Sequence, residues 1–280
     1  MTRGMLIGAA LFGTLFLYWV LSTLVFAHLR FHTYHRRRRL SYPALGVGGW
    51  AAFYGRTVVS SLSLAWWWWR ARGANGLRTP SDGAQQRPPV LCVHGFHLDG
   101  TSMWGIRQTL EAHGRATQAV TLGLPYRTPE VYSASLAQAL TRLLAASRDR
   151  QVDVVAHSMG GLILRYTLSR SPELAAGVRR IVTLGSPHGG TGVLQWIRFG
   201  PVYRMMSAGS AFIRALATFE SSAPGARVIT VASRHDLIVY PFENAHLQGA
   251  EQVTVERIGH LGMLTSHLMR ERVAQLLAAS

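Results

Sequence analysis

Val154-Val155-Ala156-His157-Ser158-Met159-Gly160-Gly161-Leu162-Ile163 is the stretch on which the fold turns. An apolar run stops at small-His-Ser-Met-Gly-Gly and resumes as an apolar, helix-favouring segment. That pattern predicts a strand reversing sharply into a helix, with a nucleophile at the tip of the bend. Small residues at Ala156 and Gly160 leave room for the reversal and drive Ser158 outward into a strained backbone region. Gly161 lets the helix lie close against the strand. A serine in an ordinary turn would not call for small residues on both sides.

Outward from this bend, strand and helix patterns alternate. Short apolar runs at 90–93, 117–121, 152–155, 181–184, 227–231 and 253–257 read as strands, and 101–113, 130–147, 159–169 and 265–279 read as helices. Such alternation implies an α/β domain over 90–280, with a mostly parallel central sheet and helices on both faces. Gly and Pro at 73, 76, 80, 83, 88 and 89 mark 73–89 as a linker.

A serine hydroxyl is a weak nucleophile at neutral pH, so Ser158 needs a base, and the base needs an orienting acid. Asp236 follows an apolar strand in Ser233-Arg234-His235-Asp236-Leu237-Ile238, at the C-terminal end where open α/β sheets gather their sites. His260 follows the last strand between Gly259 and Gly262. His267 and His246 are the other base candidates, one expected in the closing helix and one before the final strand. Glu243 and Asp99 are the other acids, and neither follows a strand in the same way. Negative charge developing on a substrate oxygen needs fixed N–H donors. Met159, directly after the nucleophile, and Phe96, in His94-Gly95-Phe96-His97 after the first strand, are the expected pair. His94 and His97 read as structural or pocket-lining.

His94-Gly95-Phe96, Ala156-His157-Ser158-Met159-Gly160-Gly161, Gly185-Ser186-Pro187-His188-Gly189-Gly190-Thr191, Asp236-Leu237-Ile238-Val239 and Gly259-His260-Leu261-Gly262 occur in that order. Together they resemble the lipase/esterase branch of the α/β-hydrolase superfamily and are similar to bacterial triacylglycerol lipases, over about residues 88–280. The resemblance implies a Ser158-His260-Asp236 triad, with the amides of Phe96 and Met159 as the oxyanion hole. It also implies hydrolysis of lipid-like acyl esters through an acyl-enzyme, with no metal or organic cofactor. Ala156 departs from the commoner glycine of the bend but is still small. A thioesterase or acyltransferase would use the same residues, and a non-catalytic membrane scaffold is the reading from another class.

Residues 192–225 form an insertion of 34 residues between two strands, rich in Trp196, Phe199, Met205, Met206 and Phe212. It reads as a lid over an acyl-binding cleft or as plain covering helices. Trp196, Phe199, Met205 and Met206, with His94 and His97, are the expected substrate contacts.

The chain has 280 residues and a net charge of +16, every basic residue being arginine. Residues 1–87 hold 11 arginines against Asp82 alone. Anionic lipid is therefore the expected partner of this part, and no nucleic-acid-binding module is recognisable. A stretch of 23 uncharged residues at 5–27, followed by the arginines at 36–39, reads as a retained membrane anchor rather than a cleaved signal. Residues 44–69, ending in Trp66-Trp67-Trp68-Trp69, read equally as a second span or an interfacial helix. The N-terminal region is thus expected over 1–72, in a bacterial inner membrane. A second crossing would place the catalytic domain outside, the slightly favoured side; a single crossing would place it in the cytoplasm. The lone Cys92 lies in an apolar strand and reads as a small buried hydrophobe.

Overall fold

The computed structural model describes residues 25–38, 45–71, 73–79, 87–194, 200–216 and 223–279. Six strands run parallel in the order β2-β1-β3-β4-β5-β6: β1 Val90–Val93, β2 Thr117–Val120, β3 Val152–His157, β4 Val178–Leu184, β5 Arg227–Ser233 and β6 Glu251–Val255. All six expected strands are present. Each residue of β1 and β3 is buried, as befits a parallel sheet covered on both sides. Alternate residues feed two cores: Leu91 and Val93 join one, Val90 and Cys92 the other. Burial pushes the Cys92 thiol up to about 12, so it packs as a hydrophobe.

Helices α4 (Pro129–Ala146) and α5 (Met159–Leu168) cover one face, through Leu136, Leu140, Leu143, Leu162 and Ile163. Helix α3 (Trp104–Ala112) and the closing helix α6 (His267–Ala278) cover the other, through Ile106, Leu110, Val273 and Leu277. The chain leaves β1 toward β2 on one side and returns to β3 on the other. The carboxyl ends of β1 and β3 therefore flank a topological switch point, where such sheets bind ligands.

At the opposite end, the buried Asp153 carboxylate pairs with Arg115 at 2.6 Å and Arg179 at 2.8 Å. This cluster pins the bottoms of β3 and β4, far along the strands from the bend.

The N-terminal third is described only in part. No described helix is long and apolar enough to cross a membrane. The expected span at 5–27 lies outside the described residues except for its last three positions. Residues 25–38 form helix α1, which packs on the domain: Phe31 is buried and its ring lies 5.6 Å from that of Tyr240. Helix α2 (Val47–Arg70) is also laid along the domain. Phe53 joins one core and Leu64 the other. The Thr265 hydroxyl donates to Ser60 Oγ at 2.7 Å. A side chain at Gly105 of α3 would stand 2.6 Å from the Trp67 ring, so that glycine is what admits the indole.

Part of the expected linker is also fixed. Arg78 and Thr117 exchange backbone hydrogen bonds at 2.8 and 2.9 Å, adding a bridge to the edge of β2. The buried Arg107 donates to the carbonyls of Ala74 at 2.5 Å and Gly76 at 2.8 Å.

Candidate active site

β3 ends at His157, and α5 starts at Met159. Ser158 between them holds φ 53°, ψ −126°, a conformation that costs a non-glycine residue about 1–3 kcal/mol and persists only where surrounding packing enforces it. The packing is tight. A Cβ at Gly160 would stand 2.6 Å from the His94 carbonyl oxygen, and one at Gly161 would run into Ser186 Oγ. A Cβ at Gly95 would stand 2.8 Å from that of Ser158. The glycines at 95, 160 and 161 are therefore steric requirements of the bend. The Ser158 amide donates to the Leu184 carbonyl at 2.9 Å, fixing the bend to the neighbouring strand.

Asp236 lies just beyond β5 and is 2% exposed on its side chain. Its Oδ1 accepts the amides of Ile238 at 2.7 Å and Val239 at 3.0 Å, and its Oδ2 accepts His260 Nδ1–H at 2.8 Å. Both carboxylate oxygens are thus occupied, and the imidazole is held through Nδ1. Gly185 makes this approach feasible. It sits at φ +54°, and a side chain there would stand 3.1 Å from Asp236 Oδ2 and 3.2 Å from His260 Nδ1. Three hydrogen bonds among the described residues tie the two segments together: Ser233 Oγ to the Ile258 carbonyl at 2.5 Å, the Arg234 amide to the Val255 carbonyl at 3.1 Å and the Arg257 amide to His235 Nδ1 at 3.1 Å.

Ser158 and His260 line one cavity of about 500 Å³. Phe96 and His97 line it too. Met159 opens α5, so its amide lies in the first turn, where N–H groups have no intrahelical acceptor. Phe96 packs edge-on against Tyr203, ring centres 5.2 Å apart, and His97 Nε2 meets the Tyr126 hydroxyl at 3.1 Å.

Other expected contacts fall elsewhere. His94 is buried behind the loop, not in the cavity. It donates from Nδ1 to the Gly95 carbonyl at 2.7 Å and accepts the Leu122 amide on Nε2 at 2.9 Å. Burial lowers its pKa, which keeps this neutral donor–acceptor pattern. Met205 and Met206 are buried with Val202 in the core and do not line the cavity. Their helix, Pro201–Met206, is pinned by the Thr191 amide donating to the Met206 carbonyl at 2.8 Å. Trp196 and Phe199 lie outside the described residues. His267 is exposed beside Glu271, and His246 bridges Thr230 and Thr254.

Sequence reasoning missed three groups. His157, next to the nucleophile, is buried and donates from Nε2 to the His260 carbonyl at 3.1 Å. Burial, and then the neighbouring His260, hold its pKa well below the usual histidine range. Leu98 and Leu261 line the cavity. So do Ser61, Leu64, Ala65 and Trp68 of α2, a helix expected to belong to the membrane region.

The chain is 29% identical over 154 residues to a triacylglycerol lipase of Pseudarthrobacter phenanthrenivorans and, over the same length, to one of Burkholderia plantarii. Each match covers 50% of this chain, and 46% and 41% of the respective relatives, so the chain aligns with less than half the length of either. Among solved structures, the mature Bacillus licheniformis lipase BlEst2 superposes with a TM-score of 0.62 at 18% identity, covering 72% of this chain and 97% of that one. Aspergillus fumigatus lipase B superposes with a TM-score of 0.58 at 18% identity, over 73% of this chain and 56% of that one. These likenesses establish the α/β-hydrolase fold. With a family model matching residues 57–233, from within α2 to the end of β5, the chain belongs to the family described as Domain of unknown function (DUF7379).

Proposed function

We propose that this protein is a serine ester hydrolase that cleaves acyl esters of lipid-like substrates through an acyl-enzyme. The observation that carries the reading is the Asp236–His260 pair opening onto the same cavity as the strained Ser158. His260 takes the hydroxyl proton as Ser158 attacks the ester carbonyl. Asp236 holds the ring's orientation and stabilises the imidazolium. The amides of Phe96 and Met159 receive the oxyanion. The protonated ring then protonates the leaving alcohol, and water, activated the same way, releases the acid. Every step uses groups of the chain itself. The relatives named triacylglycerol lipases support an ester of glycerol or a similar alcohol as substrate.

Replacing Ser158 with alanine tests this. The variant is expected to lose p-nitrophenyl ester hydrolysis and fluorophosphonate labelling while keeping its fold. Labelling that persists in the variant would falsify Ser158 as the nucleophile.

The protein is further proposed to sit at a bacterial inner membrane, anchored by residues 5–27. The arginine-rich first third and the outward Trp66 and Trp69 of α2 support contact with anionic lipid. Reporter fusions after residue 35 and after residue 80 read the topology: both on one side if α2 stays on the domain, opposite sides if it crosses.

A further inference from the structure

The catalytic cavity has one wall that the sheet does not supply. Ser61, Leu64, Ala65 and Trp68 line it, and their spacing of i, i+3, i+4, i+7 places them on a single face of α2. Phe96, Leu98 and Leu261 also line it, with His97, Thr101 and Ser102 beside them, and Ser158 and His260 border the same space. Asp99, which also borders it, is held as a cap, its carboxylate accepting the Thr101 amide at 2.9 Å.

A neighbouring stripe of the same helix holds this wall in place. Phe53 sits against Gly259, where a side chain would stand 3.1 Å from its ring. Ser60 accepts from Thr265, and Trp67 fills the notch at Gly105. The docking contacts at Gly259 and Thr265 lie on either side of the loop that carries His260. The wall is thus fixed relative to the base, not merely near it. Between the bulky Leu64 and Trp68, Ala65 offers only a methyl group, and Ser61, one turn earlier, is nearly as small.

We infer that this face of α2 is the acyl-binding wall of the catalytic cavity, and that the small Ala65 and Ser61 set the length of acyl chain it accepts. The inference rests on the ester-hydrolase reading above. An alkyl chain leaving the carbonyl at Ser158 runs along α2, and each methylene removed from water there improves binding roughly fourfold. Filling the space with a large side chain denies that gain to long chains and leaves short ones untouched.

The test uses the full chain with p-nitrophenyl esters from acetate to palmitate. Ala65→Phe and Ser61→Phe are expected to cut kcat/KM for the dodecanoate relative to the butyrate at least tenfold against wild type. The dodecanoate-to-butyrate ratio is the readout, so a loss of turnover common to both esters cancels. Leu62→Phe, on the outward face, should leave the profile unchanged. If either phenylalanine variant fails to fold, Ala65→Leu and Ser61→Leu replace it, with the same shift expected at shorter chain length. Labelled, active variants with a wild-type chain-length profile overturn the inference and leave the hydrolase reading standing. A wild-type chain that is not labelled overturns both.

Discussion

The histidines of this protein divide by their surroundings. His260 borders the cavity, whereas His94, His157 and His188 are buried and held below the ordinary histidine range, burial being the chief cause in each case. His94 and His157 in addition hold the two loops on either side of Ser158. Unfolding frees all three to titrate normally, near pH 6.5. Above that pH neither state binds these protons and stability is complete. Below it the unfolded chain takes up protons that the native state refuses, and stability falls. Each histidine contributes a slope of up to about 1.4 kcal/mol per pH unit until its own lowered folded-state value is reached. Urea denaturation at pH 8.5, 7.5 and 5.5 should show the midpoint holding between the first two and dropping at the third; a midpoint that rises toward pH 5.5 would contradict the assignment. The bend itself was legible at this scale because sterics leave so few residue types that can build it. The environment of the methionines was not. Adjacent apolar residues such as Met205 and Met206 look the same in a lid and in a core, and only the Thr191–Met206 pairing and the packing of Val202 show which they occupy.

Among the elements, α2 has contacts that its sequence foretold least. Strands announce themselves by short apolar runs, and all six were readable within a few residues of their ends. α2 is apolar nearly all round and carries a tryptophan run, which is also how a membrane helix reads. Its docking stripe is concealed because one of its members is polar: Ser60 finds its partner in Thr265, 205 residues away. Nothing local in the sequence records such a contact. Phe53 is the deepest anchor of the helix, 2% exposed. Phe53→Ala should weaken the hold on α2 by about 3 kcal/mol, the lower end for a buried phenylalanine. Hydrogen exchange should then show the amides of α2 exchanging faster while β3 stays protected. Equal acceleration in β3 would mean that α2 and the sheet unfold as one unit.

For the molecule as a whole, the sheet separates its tasks along the strands. Reactive groups gather at the carboxyl ends, and the opposite end is held by Asp153 between Arg115 and Arg179. Asp153→Ala would strand a buried guanidinium, Arg115 being 2% exposed, and should lower stability by about 3–5 kcal/mol. Below its melting range the variant should keep wild-type kcat/KM, since nothing at that end touches the cavity. A large loss of turnover in the folded variant would show the two ends to be coupled.

The staple from Arg107 to the carbonyls of Ala74 and Gly76 has a practical corollary. It clamps the segment just after α2 to α3, so the first third of the chain is joined to the rest by more than covalent continuity. Trimming those greasy residues to ease purification would amputate a flank of the cavity that Ser158 and His260 border. Whatever the shortened product then bound or turned over would report on a cavity with one side missing.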